Sequence, residues 1–160
     1  MAKRNKSKPY GRTTWNGQVI DNRTASALKW VQRKAGIPVV VVQGSYKAGN
    51  GASASAGTHD KGGVVDCSVN GLSRKQRIRL VRALKQAGFA AWYRRPMPGV
   101  WGPHIHAVLR GHRNLAPGAA AQVPSYDAHR NGLANNAYDR TWRPKRPRRW
   151  SHRRNRPIVK

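Results

Sequence analysis

Gly57-Thr58-His59-Asp60-Lys61-Gly62-Gly63-Val64-Val65-Asp66-Cys67-Ser68-Val69 passes from a glycine-bounded turn into an apolar strand and places a His and an Asp at its two ends. A second stretch, Trp101-Gly102-Pro103-His104-Ile105-His106, opens another strand over residues 104–109. Side chains alternate across a strand, so His104 and His106 share one face while Ile105 points into the core on the other. Burying two imidazoles together is unfavourable unless they bind a metal or find hydrogen-bond partners. A catalytic zinc ion takes three protein ligands from His and carboxylate and leaves a fourth position for water. His59, Asp66 and His106 meet that specification. On spacing alone the same residues also fit a surface strand with two solvated histidines.

Around these stretches, Thr24 is placed to cap a helix over residues 25–35. Its Ala25, Leu28, Val31 and Ala35 recur at three- and four-residue spacing before Gly36 stops it. Residues 37–43 read as a buried strand. Residues 44–58 are rich in Gly, Ala and Ser and form a loop long enough to mark function rather than scaffold. Ser73 begins a second helix with Ile78, Val81 and Leu84 on one face, a run of Arg and Lys on the wet face, and Gly88 at its end. Residues 89–93 form a further strand, separated from 104–109 by a turn-rich stretch with Pro96, Pro98 and Pro103. Helices followed by paired strands give an α+β domain. Cys67, the lone cysteine, excludes an intramolecular disulfide and reads as a buried, inert thiol.

The chain has 160 residues, which suits one domain with appendages. Its 32 Lys and Arg face five acids, all Asp, so it attracts polyanions at low salt, and no Glu is present to act as a base. Residues 1–12 hold five basic residues and no acid and read as a solvated arm. Residues 140–160 hold ten basic residues, three prolines and no acid, a composition expected to stay extended or disordered. The domain is then expected over 13–139, itself basic with seventeen Lys and Arg against the five acids. No apolar segment follows the basic N-terminal residues, so they do not read as a secretion signal.

The motif order resembles the zinc D-alanyl-D-alanine peptidases, the LAS-type metallopeptidases, which share a fold with the Hedgehog signalling domain and with phage cell-wall endopeptidases such as the L-alanyl-D-glutamate enzymes. That pattern has a His, a Gly three residues later and an Asp seven residues after the His, then a downstream His-x-His strand. His59, Gly62, Asp66, His104 and His106 match it residue by residue. Val42-Gln43-Gly44-Ser45-Tyr46-Lys47 resembles the upstream strand end where the family commonly has Gly-Tyr-Arg, with Lys47 in place of the Arg that holds substrate. The resemblance covers residues 37–108. It implies a small, mostly antiparallel sheet with flanking helices, a Zn²⁺ ion on His59, Asp66 and His106, and Lys47, Gln43, Ser45 and Tyr46 on the substrate side. The chain departs from the family in having Gly57 where Ser is usual and in lacking Glu.

His104 stands where some members place a catalytic His, and an imidazole titrating near neutrality can accept a proton from the attacking water and return it to the leaving amine. The expected activity is hydrolysis of peptidoglycan peptide, by a D-Ala-D-Ala carboxypeptidase or an endopeptidase of endolysin type. A basic hydrolase of this kind would suit a bacteriophage product that reaches the wall through a lysis pore or in a virion. Two other readings remain open. One is a metal-holding structural or wall-binding domain of the same fold without activity. The other is a nucleic-acid-binding protein, since Trp142 and Trp150 are interleaved with arginines in a tail that would attach to nucleic acid or to an anionic wall polymer.

Overall fold

Two strands with both faces covered organise the molecule. In the computed structural model, which describes residues 4–50 and 53–159, β4 (Val64–Ser68) and β6 (His104–Leu109) pair antiparallel and are buried over nearly their whole length. Being covered on both sides, they are apolar almost throughout instead of alternating with polar residues. β5 (Phe89–Arg94) flanks β6, and β3 (Val41–Gln43) forms the other edge, giving a four-stranded antiparallel sheet in the order β3-β4-β6-β5. The fold is α+β.

Strand register divides the sheet into two chemically distinct faces. Val65, Cys67, Phe89, Ala91, Ile105, Ala107 and Leu109 pack into the main core with two helices, α1 (Asn22–Ala35) and α2 (Arg74–Ala87). The opposite face carries Val64, Ala90, Trp92 and Val108 against a third helix, α3 (Pro117–Asp127), through Ala119 and Tyr126. Asp66, His104 and His106 share this second face.

The helix termini follow their capping chemistry, with one shift. α2 has Ser73 at its N-cap in a reciprocal capping box with Gln76, as Ser-x-x-Gln prescribes. α1 starts earlier than expected, because Asp21 caps it: its carboxylate accepts from Thr24 N at 2.8 Å and from Thr24 Oγ1 at 3.0 Å. Thr24 is thus the third helical residue and not the cap. Residues 37–43, expected as a buried strand, are half-buried instead. Val39 and Val41 point inward, while Val40, just before the strand, and Val42 within it are 41% and 52% exposed. On α2, Leu80 joins Val81 and Leu84 inside, while Ile78 is exposed.

Among the described residues, both terminal segments correct the expectation of disordered arms around a 13–139 domain; residues 1–3 and 160 of those arms lie outside the described residues. Residues 148–159 form a hairpin, β7 (Arg148–Ser151) with β8 (Arg156–Val159), whose Trp150 is 1% exposed within the main core. The Trp150 indole donates to Ser26 Oγ at 2.8 Å, and its carbonyl accepts from Arg23 Nη2 at 2.6 Å. Gly88, at φ +106, ends α2 in the left-handed conformation that glycine tolerates. It does so so close to the hairpin that a Cβ would lie 3.0 Å from Arg149 Cα. Residues 4–11 lie against the same region, where Pro9 O accepts from Arg23 N at 2.7 Å and Ser7 O meets His152 Nε2 at 2.9 Å. Average composition overlooked a single large aromatic. One buried Trp removes about 200 Å² from water, and the Arg23 guanidinium beside it hydrogen-bonds its backbone carbonyl. Another hairpin, β1 (Arg12–Trp15) with β2 (Gln18–Asp21), was not expected from the sequence.

Candidate metal centre

Asp66 sits in the central strand β4 opposite His106 of β6, and His59 reaches the same point from the loop before β4. His59 is 1% exposed, and its Nδ1 lies 2.8 Å from the Gly44 carbonyl. A carbonyl only accepts, so Nδ1 carries the proton and Nε2 presents a lone pair. That Nε2 is buried, has no hydrogen-bond partner and lies 3.3 Å from Asp66 Oδ1.

His106 is oriented from the other side by Gln122 of α3. The Gln122 amide nitrogen donates to Gly132 O at 3.1 Å, which aims Oε1 at His106 Nε2, 2.8 Å away. Nε2 is therefore a donor. Burial favours the uncharged ring by lowering the His106 pKa below its ordinary value, against the pull of Asp66. In that neutral ring Nδ1 carries the lone pair, 2.8 Å from Asp66 Oδ1. The Trp92 ring stacks on His106 with centroids 6.2 Å apart and holds the imidazole plane.

One ligand atom from each of His59, Asp66 and His106 lies within 4.8 Å of the other two, and all three residues are buried. Acceptors gathered so closely repel one another unless a positive charge sits among them. Burial opposes ionisation of Asp66, and a proton on the facing nitrogen of His106 or His59 offsets this, holding the carboxyl well below the usual carboxylate range. The arrangement is thus a receptor for positive charge, filled by a proton or by a metal ion, and its residues can hold a metal ion with three ligands.

His104 stands beside this group without belonging to it. Its Nδ1 donates to Gly102 O at 2.8 Å, which turns Nε2 toward the site, 3.9 Å from Asp66 Oδ2, and the side chain is partly exposed. A cavity of about 320 Å³ opens over the centre, lined by Gln43, Thr58, Arg94, Trp101, His104 and Gln122 among others. The burial of Cys67 pushes its thiol up, away from reactivity. Asp60 lies on the turn after His59 and outside the ligand group.

Of the four residues expected on the substrate side, Gln43 alone lines the cavity, where its amide donates to Ser55 Oγ at 2.9 Å. Ser45, Tyr46 and Lys47 are elsewhere. After β3 the backbone turns beneath β2, with Ser45 N donating to Val19 O at 2.8 Å. Ser45 Oγ then donates inward to Val64 O at 2.8 Å, and the Tyr46 hydroxyl points to the buried Asp21. Lys47 donates from its backbone to His59 O at 2.8 Å, positioning the loop that carries the ligand. Arg94 and Gln122, both in the cavity lining, were not foreseen, whereas Trp92 packs in the core beneath it. Trp92 and Arg94 share the ligand face because β5 pairs with β6 in the register Trp92↔His106 and Arg94↔His104. The expected strand ended at residue 93, one short of Arg94, so the two-residue spacing from Trp92 was the available signal. Gln122 lies on α3, whose small residues and internal Pro124 give no periodic apolar stripe to detect.

No family model, curated protein or solved structure matches the chain.

Proposed function

We propose that the protein is a zinc-dependent peptidase that hydrolyses peptide of bacterial peptidoglycan, as a D-Ala-D-Ala carboxypeptidase or an endopeptidase. The observation that carries this reading is the convergence of two imidazole lone pairs and a carboxylate under an open cavity, with a third imidazole alongside whose free nitrogen faces the same point. Two nitrogens and one oxygen suit zinc, whereas calcium and magnesium favour oxygen-only sites. Bound there, zinc supplies Lewis acidity, polarising a carbonyl and making water acidic enough to attack near neutral pH.

The chain's own residues divide the remaining work. His59 and His106 are locked as ligands by Gly44 and Gln122, so no reorientation is needed on binding. His104 Nε2 accepts the proton of the attacking water and delivers it to the leaving amine. Trp101, whose ring meets His104 edge-on at 6.0 Å, and Gln43 wall the substrate channel. Incubation of purified peptidoglycan with the protein should release amines, chelator should stop the release, and zinc should restore it. Absence of amine release from every muropeptide would leave a metal-holding domain without this activity.

A second reading has its own observation. A groove of about 660 Å³ beside α2 is lined by Arg77, Arg82, Arg140, Tyr138 and Trp142, among others, and Tyr138 is 69% exposed. Guanidinium groups interleaved with open aromatic rings suit a polyanion, either nucleic acid or an anionic wall polymer. Attachment would then use this folded surface. Retention on heparin that falls steeply with salt, set against Arg77→Gln with Arg140→Gln, measures it.

A further inference from the structure

Arg94 ends β5 directly across from His104, on the sheet face that carries Asp66 and His106. It is 6% exposed and lines the cavity over the metal centre. Its Nη1 donates to the neutral Asn131 carbonyl at 2.6 Å, Nη2 is buried without a partner, and the Trp92 ring lies 4.9 Å away. Of three comparably buried guanidiniums, Arg110 pairs with Asp127 and Arg143 with Asp139, while Arg23, also without a carboxylate partner, lies outside the lining of this cavity. Among the described residues no carboxylate forms an ion pair with Arg94. A guanidinium removed from water without an anion is unfavourable, and it stays charged under any physiological condition. A divalent ion held by two neutral imidazoles and one carboxylate leaves a further surplus of positive charge in the same cavity.

We infer that Arg94 is a binding residue for an oxyanion of the ligand, namely a free carboxylate next to the group presented to the metal centre. The inference takes the metal from the proposed function but not the turnover. The site would then be selective for a residue bearing its own carboxylate at that position, and would discriminate against the corresponding amide. A planar guanidinium matches a carboxylate with paired N–H donors, a geometry that Lys cannot reproduce.

Calorimetric titration of the zinc-loaded full chain with N-acetyl-alanine of either hand, with its C-terminal amide, and with inorganic phosphate tests the assignment. For at least one enantiomer, the acid should bind wild type at least about tenfold more tightly than its amide, the loss expected for a charge-assisted hydrogen-bonded pair. Arg94→Met, which keeps most of the side-chain length, should bring acid and amide within about twofold of each other while zinc content stays unchanged. Arg94→Lys should fall between the two. Equal binding of acid and amide to wild type, or no binding of either, overturns the inference without recourse to any variant. It is equally overturned if Arg94→Met keeps the preference, or if phosphate binds more tightly than the acid. Selective binding of the acid with no hydrolysis of any peptide would sink the peptidase reading and leave the Arg94 subsite standing.

Discussion

Replacing Gln122 with Leu removes the group that decides which nitrogen of His106 faces the metal position. In the native protein Gly132 O fixes the Gln122 amide, Gln122 Oε1 holds the proton on His106 Nε2, and Nδ1 is left bare toward Asp66. Leu keeps the volume but offers no acceptor. His106 can then move its proton to Nδ1 and donate to Asp66, which blocks the ligand atom. Loss of an outer hydrogen-bond partner of a ligating His costs about 10- to 100-fold in metal affinity, equivalent to roughly 1.4–2.8 kcal/mol. Gln122→Glu retains an acceptor and should stay much closer to wild type. Competition with a chromophoric chelator at neutral pH gives the zinc dissociation constant, and urea unfolding checks that each variant is folded. A folded Leu variant with wild-type zinc affinity would refute the tautomer argument.

His104→Ala should keep zinc at the wild-type stoichiometry while losing about 10²- to 10⁴-fold in turnover, the usual contribution of a positioned base; a zinc-loaded variant of normal activity would remove His104 from the chemistry. Trp150→Ala empties a fully buried aromatic site and breaks the bond to Ser26, so urea unfolding should show a loss of about 3–5 kcal/mol, whereas a loss under about 1 kcal/mol would mean the hairpin does not dock as described. Burial opposes ionisation of Asp21, but His112 and Thr24 hold its folded pKa below the ordinary value, which lies near about 3.9 for an unfolded Asp. Its stabilisation is therefore fully present above that pH and lost as pH falls through the folded value. Asp21→Asn should flatten this acid limb in unfolding experiments run from pH about 5 to about 2, and an unchanged limb would count against the hydrogen bond that His112 Nε2 donates to Asp21.

The parts of the fold legible in the sequence were those set by local chemistry. Ser73 opens a helix, Gly36 and Gly88 end helices, and the His-Ile-His alternation puts two imidazoles on one face, all within a few residues. What escaped depends on distant pairing. Arg94 becomes a cavity residue only because β5 pairs with β6 in a register that no local signal fixes. Gln122 acts through α3, a helix held by tertiary contacts despite Pro124, and against the pattern that would reveal it. The C-terminal segment shows the limit of composition: ten basic residues argue for a solvated tail, while the one residue that decides its fate, Trp150, finds a place under Ser26 that the sequence does not show. Ser45 and Tyr46 failed as substrate residues for a related reason, since packing of the loop against Val19 turns their side chains toward Val64 and Asp21.

Elemental analysis of protein purified without chelator, for wild type and for the His59→Ala, Asp66→Ala and His106→Ala variants, tests the metal centre directly. Three converging ligand atoms within 4.8 Å of one another call for about one zinc per chain in wild type and severe loss in each variant, with His129→Ala, whose residue lies outside the ligand group, at the wild-type level. A wild-type protein that carries no zinc and takes up none on addition, or equal zinc loss in His129→Ala and the ligand variants, would contradict the account.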